Sequence, residues 1–144
     1  MTETATNEPS IRVSVRDESD VGVARRRVRE LGARVGLSEA SVEELATAVT
    51  EIARNIVVHA GTGELLFGAT DNGGRRGVVV LARDHGPGIA DVFEAMRDGY
   101  SSGSGLGLGL PSARRLVDEF ELASSLDSGT TIMMRKWTPV ERQR

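Results

Sequence analysis

Residues 78–88 read VVVLARDHGPG, an apolar run that stops at a carboxylate and a glycine–proline turn. Val78 to Ala82 is apolar without alternation, as expected of a strand covered on at least one face and buried in a sheet. Asp84 falls where that strand enters Gly86-Pro87-Gly88. An ionised carboxylate is seldom buried unless it is paired or solvated, so something must satisfy Asp84. The exocyclic amino group of an adenine would do so, and the glycines beside it would let a flat base approach the backbone. The alternative is a turn-capping aspartate whose glycines and proline serve geometry only. D-x-G-x-G by itself does not choose between the two.

Upstream, GELLFGAT (63–70) and GVVVLARD (77–84) flank Asp71-Asn72-Gly73-Gly74-Arg75-Arg76, a turn-rich segment suited to an antiparallel hairpin. IRVSVR (11–16) alternates apolar and polar residues, which predicts a strand with Ile11, Val13 and Val15 inward. Val21, Ala24, Val28, Leu31 and Val35 recur at helical spacing and predict a helix over Asp20 to Val35. Gly36-Leu37-Ser38 breaks that pattern. Ser41 with Glu44 has the form of a capping box for a second helix, whose apolar stripe runs from Val42 to Ile56 and stops at Gly61. Downstream, a short helix is expected over 91–98, then a glycine-rich stretch, then a helix over Ser112 to Phe120. ELASSL and TTIMMRKW, joined by Asp127-Ser128-Gly129, close the chain as a β pair. Residues 9–138 read as one domain, with a disordered lead at 1–8 and a tail at 139–144.

The chain has 144 residues and a 39% apolar share, enough for one core without covalent staples. It has no cysteine, which excludes disulfides, thiolate metal sites and thiol catalysis, and only two histidines, which argues against zinc. No apolar run is long enough to span a membrane, and MTETATNEPS is not a signal peptide, so a cytoplasmic protein is expected. The net charge of −3 speaks against binding a phosphate backbone, although Arg25 to Arg29 form a local basic cluster. Lys136, the single lysine, follows no glycine-rich loop, so a Walker A site and a eukaryotic-type kinase lysine are both excluded.

Three further features bear on chemistry. Glu51 and Asn55 lie four residues apart on the second helix, on one face beside the apolar stripe. They form either an edge cap or a functional pair: a carboxylate that polarises a nucleophile, next to an amide oxygen able to help hold Mg²⁺. His59, one turn on, is read as a packing residue. Gly103, Gly105, Gly107 and Gly109 alternate with Ser104, Leu106 and Leu108 and run into Pro111 and a helix. Backbone N–H groups exposed at such spacing suit a polyanion such as triphosphate, and the alternative is a merely flexible loop. Leucine stands where a dinucleotide fingerprint needs its third glycine, so that motif is excluded. Gly129-Thr130 in the last hairpin means nothing unaided.

The order of these features carries more than any one of them: E-x-x-x-N on a helix, a hairpin into D-x-G-x-G, a glycine-rich lid before a helix, then a G-T hairpin. The series resembles the ATP-binding fold of gyrase, sensor histidine kinases and MutL proteins, called GHKL or Bergerat, over nearly the whole chain. ELATAVTEIARNIVVHAG, ARDHGPGIADVFEAMRDGYSSGSGLGLGLPSARRLVDEF and SGTTIMMRKW are similar to the RsbT-type switch serine/threonine kinases of bacterial stress (stressosome) signalling. The short lid and the form GLGLGLP separate this type from histidine kinases.

The resemblance implies an α+β two-layer sandwich, with helices on one face of a mixed, mostly antiparallel sheet and ATP between the helix layer and the lid. Carried over, Asn55 would ligate Mg²⁺, Glu51 would orient or activate the attacking hydroxyl and Asp84 would bind the adenine amino group. Gly86 and Gly88 would shape the base pocket, Gly105, Gly107 and Gly109 would wrap the phosphates, and Thr130 would support Asp84. Without a lysine clamp, Arg54 is a further candidate for neutralising the triphosphate. The family phosphorylates STAS-domain antagonist or scaffold proteins and, once released, activates a PP2C-type phosphatase. The rival readings are an anti-sigma factor kinase that holds a sigma factor directly, a non-catalytic nucleotide-binding interaction module, and nucleic-acid binding through Arg25 to Arg29.

Overall fold

The computed structural model describes residues 6–86, 110–125 and 129–139. Five strands form one sheet in the order β1-β2-β3-β5-β4: β1 Thr6–Val15, β2 Gly63–Asn72, β3 Arg75–Asp84, β4 Glu119–Ser125 and β5 Gly129–Trp137. All four ladders are antiparallel, so the described sheet has none of the parallel pairing that a mixed sheet allows. Two long helices, α1 (Glu18–Val35) and α2 (Glu39–Asn55), cover one face, and α3 (Leu110–Leu116) packs beside α2. This is the expected α+β sandwich. Among the described residues no helix is long and apolar enough to cross a membrane.

Alternation decides which side chains enter the core. Val13 and Val15 of β1, Leu65 and Phe67 of β2, Val78, Val80 and Ala82 of β3, and Ile132 and Met134 of β5 all join one buried cluster. Opposite them stand Val21, Ala24, Val28 and Leu31 of α1 and Leu45, Val49, Ile52 and Ala53 of α2. Full burial of one such aliphatic or aromatic side chain contributes roughly 1.5–3 kcal/mol. Gly73 (φ 63°) and Gly74 (φ 93°) make the two-residue turn between β2 and β3, a conformation with both φ positive that glycine accepts without strain. Asp71 Oδ1 fastens it by accepting from the Gly74 N–H at 3.0 Å.

Several boundaries differ from the sequence expectation, each for a local reason. Thr6, Asn7 and Glu8 pair with Asp71, Thr70 and Ala69, so the lead expected to be disordered through residue 8 is strand from Thr6 on. The register shift between Glu8 and Ile11 interrupts the alternation there, which hid this part of β1. α1 starts earlier because Asp17 caps it, its Oδ1 accepting from the Asp20 N–H at 3.2 Å. The cap of α2 is Ser38, whose Oγ accepts from the Ser41 N–H at 3.1 Å. Ser41 is therefore already inside the helix, and Glu44 turns to Lys136 rather than back to a cap. The helix expected through Phe120 ends at Leu116, because the Asp118 N–H already joins Arg135 O and Phe120 pairs with Met134. The helix expected over 91–98 lies outside the described residues.

Lys136 is buried at 7% exposure, a rare place for a cation. Its Nζ donates to Glu44 Oε1 at 2.9 Å and to the Leu116 carbonyl at 2.8 Å. One ammonium thus joins β5, α2 and the C-terminal end of α3, where a positive charge is favoured.

Candidate nucleotide site

The segment that follows α2, Ile56–Ala60, meets the end of β3 through two glycines. Gly63 opens β2 opposite Asp84. A Cβ on Gly63 would stand 2.5 Å from the Arg83 carbonyl oxygen and 2.8 Å from Ile56 Cγ2. A Cβ on Gly86 would stand 2.6 Å from Ala60 Cβ. All three distances are shorter than real Cβ contacts allow, so glycine at these positions lets the segment that follows Asn55 lie directly on the turn that follows Asp84. Sequence reasoning missed that segment's conformation. Ile56–Ala60 forms a π-helical turn, closed by the Gly61 N–H on the Ile56 carbonyl at 2.7 Å, with Gly61 at φ 91°. Such turns are often found at functional positions of helices. The stop at Gly61 was legible, the extra residue in the turn was not.

Asp84 is held by backbone donors. Its Oδ1 accepts from the Gly86 N–H at 2.9 Å and from the Thr130 N–H at 3.3 Å. Its Oδ2 has no partner among the described residues. One carboxylate oxygen is thereby fixed and the other left for an incoming donor. Thr130 reaches Asp84 through its backbone, while its hydroxyl lies 2.9 Å from Ser124 Oγ. Gly129 (φ 81°) passes so close to the Asp84 carbonyl that a Cβ there would overlap it. No pattern within either strand announces this meeting; it arises from the β3–β5 pairing.

Glu51 and Asn55 are both half-buried near the C-terminal end of α2. Glu51 has no hydrogen-bond partner among the described residues, so its carboxylate is unspent. The Asn55 carboxamide offers an oxygen of the hard kind that Mg²⁺ takes. No group of three or more His, Asp or Glu side chains among the described residues forms a metal cage. A cation at Asn55 would therefore draw its other ligands from phosphate and water, as Mg²⁺ does in nucleotide sites. Arg54 is exposed and its guanidinium pairs with Glu18 at 3.0 Å across the seam between α1 and α2. His59 is half-buried on the π-helical turn. Gly88, Gly105, Gly107 and Gly109 lie outside the described residues.

The basic cluster of α1 is partly consumed within the fold. Arg29 pairs with Glu43 at 2.9 Å and Arg25 reaches Thr50 Oγ1 at 3.4 Å, while Arg26 and Arg27 face outward. Two outward-facing guanidiniums do not make a phosphate-backbone stripe.

A glutamate and an asparagine one turn apart on a helix, with a fixed aspartate at the mouth of the facing strand, sit in a fold of the GHKL kind. The histidine kinase-like ATPase domain model matches residues 11–136, and the chain belongs to that family. Within the family it is of the RsbT type and is a kinase-class enzyme. It is 38% identical over 125 residues to the serine/threonine-protein kinase RsbT of Bacillus subtilis (strain 168), covering 87% of this chain and 94% of the relative. It is also 27% identical over 106 residues to an anti-sigma F factor of Clostridium novyi (strain NT), covering 66% of this chain and 70% of the relative. A second anti-sigma F factor, from Heyndrickxia coagulans, is 29% identical over 99 residues, or 62% of this chain and 65% of the relative. A crystal structure of RsbU and RsbW domains from Mycobacterium tuberculosis superposes with a TM-score of 0.55 at 18% identity, over 94% of this chain and 35% of that one. At that identity the likeness bears on the fold alone.

Proposed function

We propose that this chain transfers the γ-phosphoryl group of ATP to a serine or threonine of a STAS-domain antagonist or scaffold protein and, once released, activates a PP2C-type phosphatase. The observation that supports the nucleotide half of this reading is Asp84, with Oδ1 engaged by two backbone N–H groups and Oδ2 open at the mouth of a buried strand. Oδ2 accepts the adenine amino group, which discriminates adenine from guanine because a carbonyl oxygen at that position would face a carboxylate. Gly86 and Gly88 admit the base, Thr130 holds Asp84 in place, and Gly105, Gly107 and Gly109 close on the phosphates. Asn55 holds Mg²⁺, which when bound neutralises the triphosphate and fixes its geometry. Glu51 accepts a hydrogen bond from the acceptor hydroxyl and takes its proton as the new O–P bond forms and the β–γ bridging bond breaks, leaving ADP.

Two relatives that are anti-sigma F factors favour a second reading, in which the chain holds a sigma factor directly. Both readings share the chemistry and differ in the partner. Incubation with labelled ATP, Mg²⁺ and a candidate STAS protein should label a serine or threonine of that protein, and pull-down against a sigma factor separates the two readings. Asn55→Ala should abolish labelling by removing a metal ligand, and undiminished labelling would overturn the assignment.

A further inference from the structure

The two N–H groups on Asp84 Oδ1 are not held in the same way. Gly86 donates from two residues along the same turn at 2.9 Å, whereas Thr130 donates from β5 at 3.3 Å. The ladder between β3 and β5 ends at the pair Arg83↔Thr131, so the contact of Asp84 with Thr130 lies one residue past it. On its other side β5 stays paired with β4, through Ser124↔Thr130 and Ser125↔Gly129. The start of β5 is therefore held by β4, and a side chain of β4 reinforces the hold. Ser124 Oγ donates to the Gly129 carbonyl at 3.0 Å and lies 2.9 Å from Thr130 Oγ1.

The Gly129 carbonyl and the Thr130 N–H belong to one peptide unit. That unit is planar and trans, with its C=O and N–H pointing in opposite directions. A hydroxyl that fixes the carbonyl thus fixes the direction of the N–H at the far edge of the same plane. Gly129 needs such a restraint, because at φ 81° and without a side chain its backbone is free to turn the plane away. Hydrogen bonds in series also polarise one another, so the Ser124 contact strengthens the grip of the N–H on the carboxylate. The Gly129 carbonyl can only accept, which commits the serine proton to it and makes Thr130 the donor in the contact between the two hydroxyls. The geometry points to Ser124 as a positioning residue of the nucleotide site, acting on Asp84 through the Gly129–Thr130 peptide. That Asp84 then receives adenine rests on the function proposed above; the hold on Asp84 does not.

Two measurements on the full chain test it, one of them independent of any ligand. Amide hydrogen exchange followed by NMR should show the Thr130 N–H of Ser124→Ala exchanging severalfold faster than in the wild type, while the Val80 N–H of the central strand keeps its rate. A general loss of stability would speed both. Calorimetric titration with ATP and Mg²⁺ should give Ser124→Ala an affinity about two- to tenfold below the wild type, the effect of one neutral hydrogen bond. Ser124→Thr keeps the hydroxyl and should restore both the affinity and the protection. Thr130→Val keeps the N–H and loses only the contact between hydroxyls; joined to Ser124→Ala it should cost nothing further, because both act through one peptide. Unchanged protection of the Thr130 N–H in Ser124→Ala overturns the inference. So does equal loosening of Val80, a Ser124→Thr that behaves like Ser124→Ala, or a loosened Thr130 amide with undiminished ATP affinity. A wild type that does not bind ATP refutes the nucleotide reading instead, and the exchange of the Thr130 amide still decides whether Ser124 holds Asp84.

Discussion

Asp84 acts through the difference between its two oxygens. Oδ1 is spent on the Gly86 and Thr130 N–H groups, and in the proposed reading Oδ2 is the acceptor for the ligand's donor. Asp84→Asn can retain the Oδ1 contacts but places an NH₂ where Oδ2 stood, opposing donor to donor. ATP affinity should fall by roughly 1.5–3 kcal/mol, about ten- to a hundredfold, the cost of a lost charge-assisted hydrogen bond. Calorimetric titration with ATP and GTP checks this, and an equal loss for both nucleotides would argue against base recognition. At this scale the sequence is generous where the partners are close along the chain. Asp84, Gly86 and Gly88 form one short motif, and Glu51 and Asn55 are one helical turn apart. It is silent where they are distant. Thr130 N–H reaches Asp84 only because β5 pairs with β3, and Arg54 goes to Glu18 only because α1 lies beside α2.

The elements record a different contest, between spacing and local hydrogen bonding. Serines at 38 and 41 both stand near the start of α2, and the sequence favoured the one with an acidic residue three positions on. The backbone chose Ser38, whose hydroxyl caps the Ser41 N–H. Ser38→Ala should therefore destabilise the fold by about 1 kcal/mol and Ser41→Ala by clearly less, as read from denaturant midpoints of the two variants. The reverse order would restore the cap at Ser41. Helical spacing also overran the end of α3, because Leu116, Val117 and Phe120 all pack against the core although only the first is helical. The end is set by tertiary pairing, and so is its fastening. Lys136 donates to Leu116 O and to the half-exposed Glu44 from a buried position. Lys136→Ala should cost about 2 kcal/mol through the lost charged hydrogen bonds, more than any exposed arginine-to-alanine change on α1. Thermal melts of Lys136→Ala beside Arg26→Ala make the comparison.

Across the whole molecule, stability must follow pH through the carboxylates that the fold engages. Glu64 sits on β2 between two neighbours and accepts from Arg12 of β1 at 2.6 Å and from Arg83 of β3 at 2.8 Å. The Arg12 guanidinium first, and Arg83 after it, hold its carboxyl below the ordinary glutamate range. Asp17, at the start of α1, is shifted the same way by the Ser19 hydroxyl and then by the Asp20 N–H. A carboxylate whose folded value is depressed binds its proton more readily when unfolded. Its contribution is therefore complete above the unfolded value and is lost as pH falls through the folded one. Glu64→Gln should consequently be less stable than the wild type at about pH 7, and the gap should close as pH falls through the depressed folded value of Glu64, where the wild type loses the charge too. Because Arg12 and Arg83 are largely solvated, salt should shrink the difference at neutral pH without changing its sign. Denaturant titrations of both proteins across a pH series from neutral into the acid range, with and without added salt, measure the gap and its closing. A gap that persists undiminished at low pH would show that Glu64 acts by packing between its strands and not by charge.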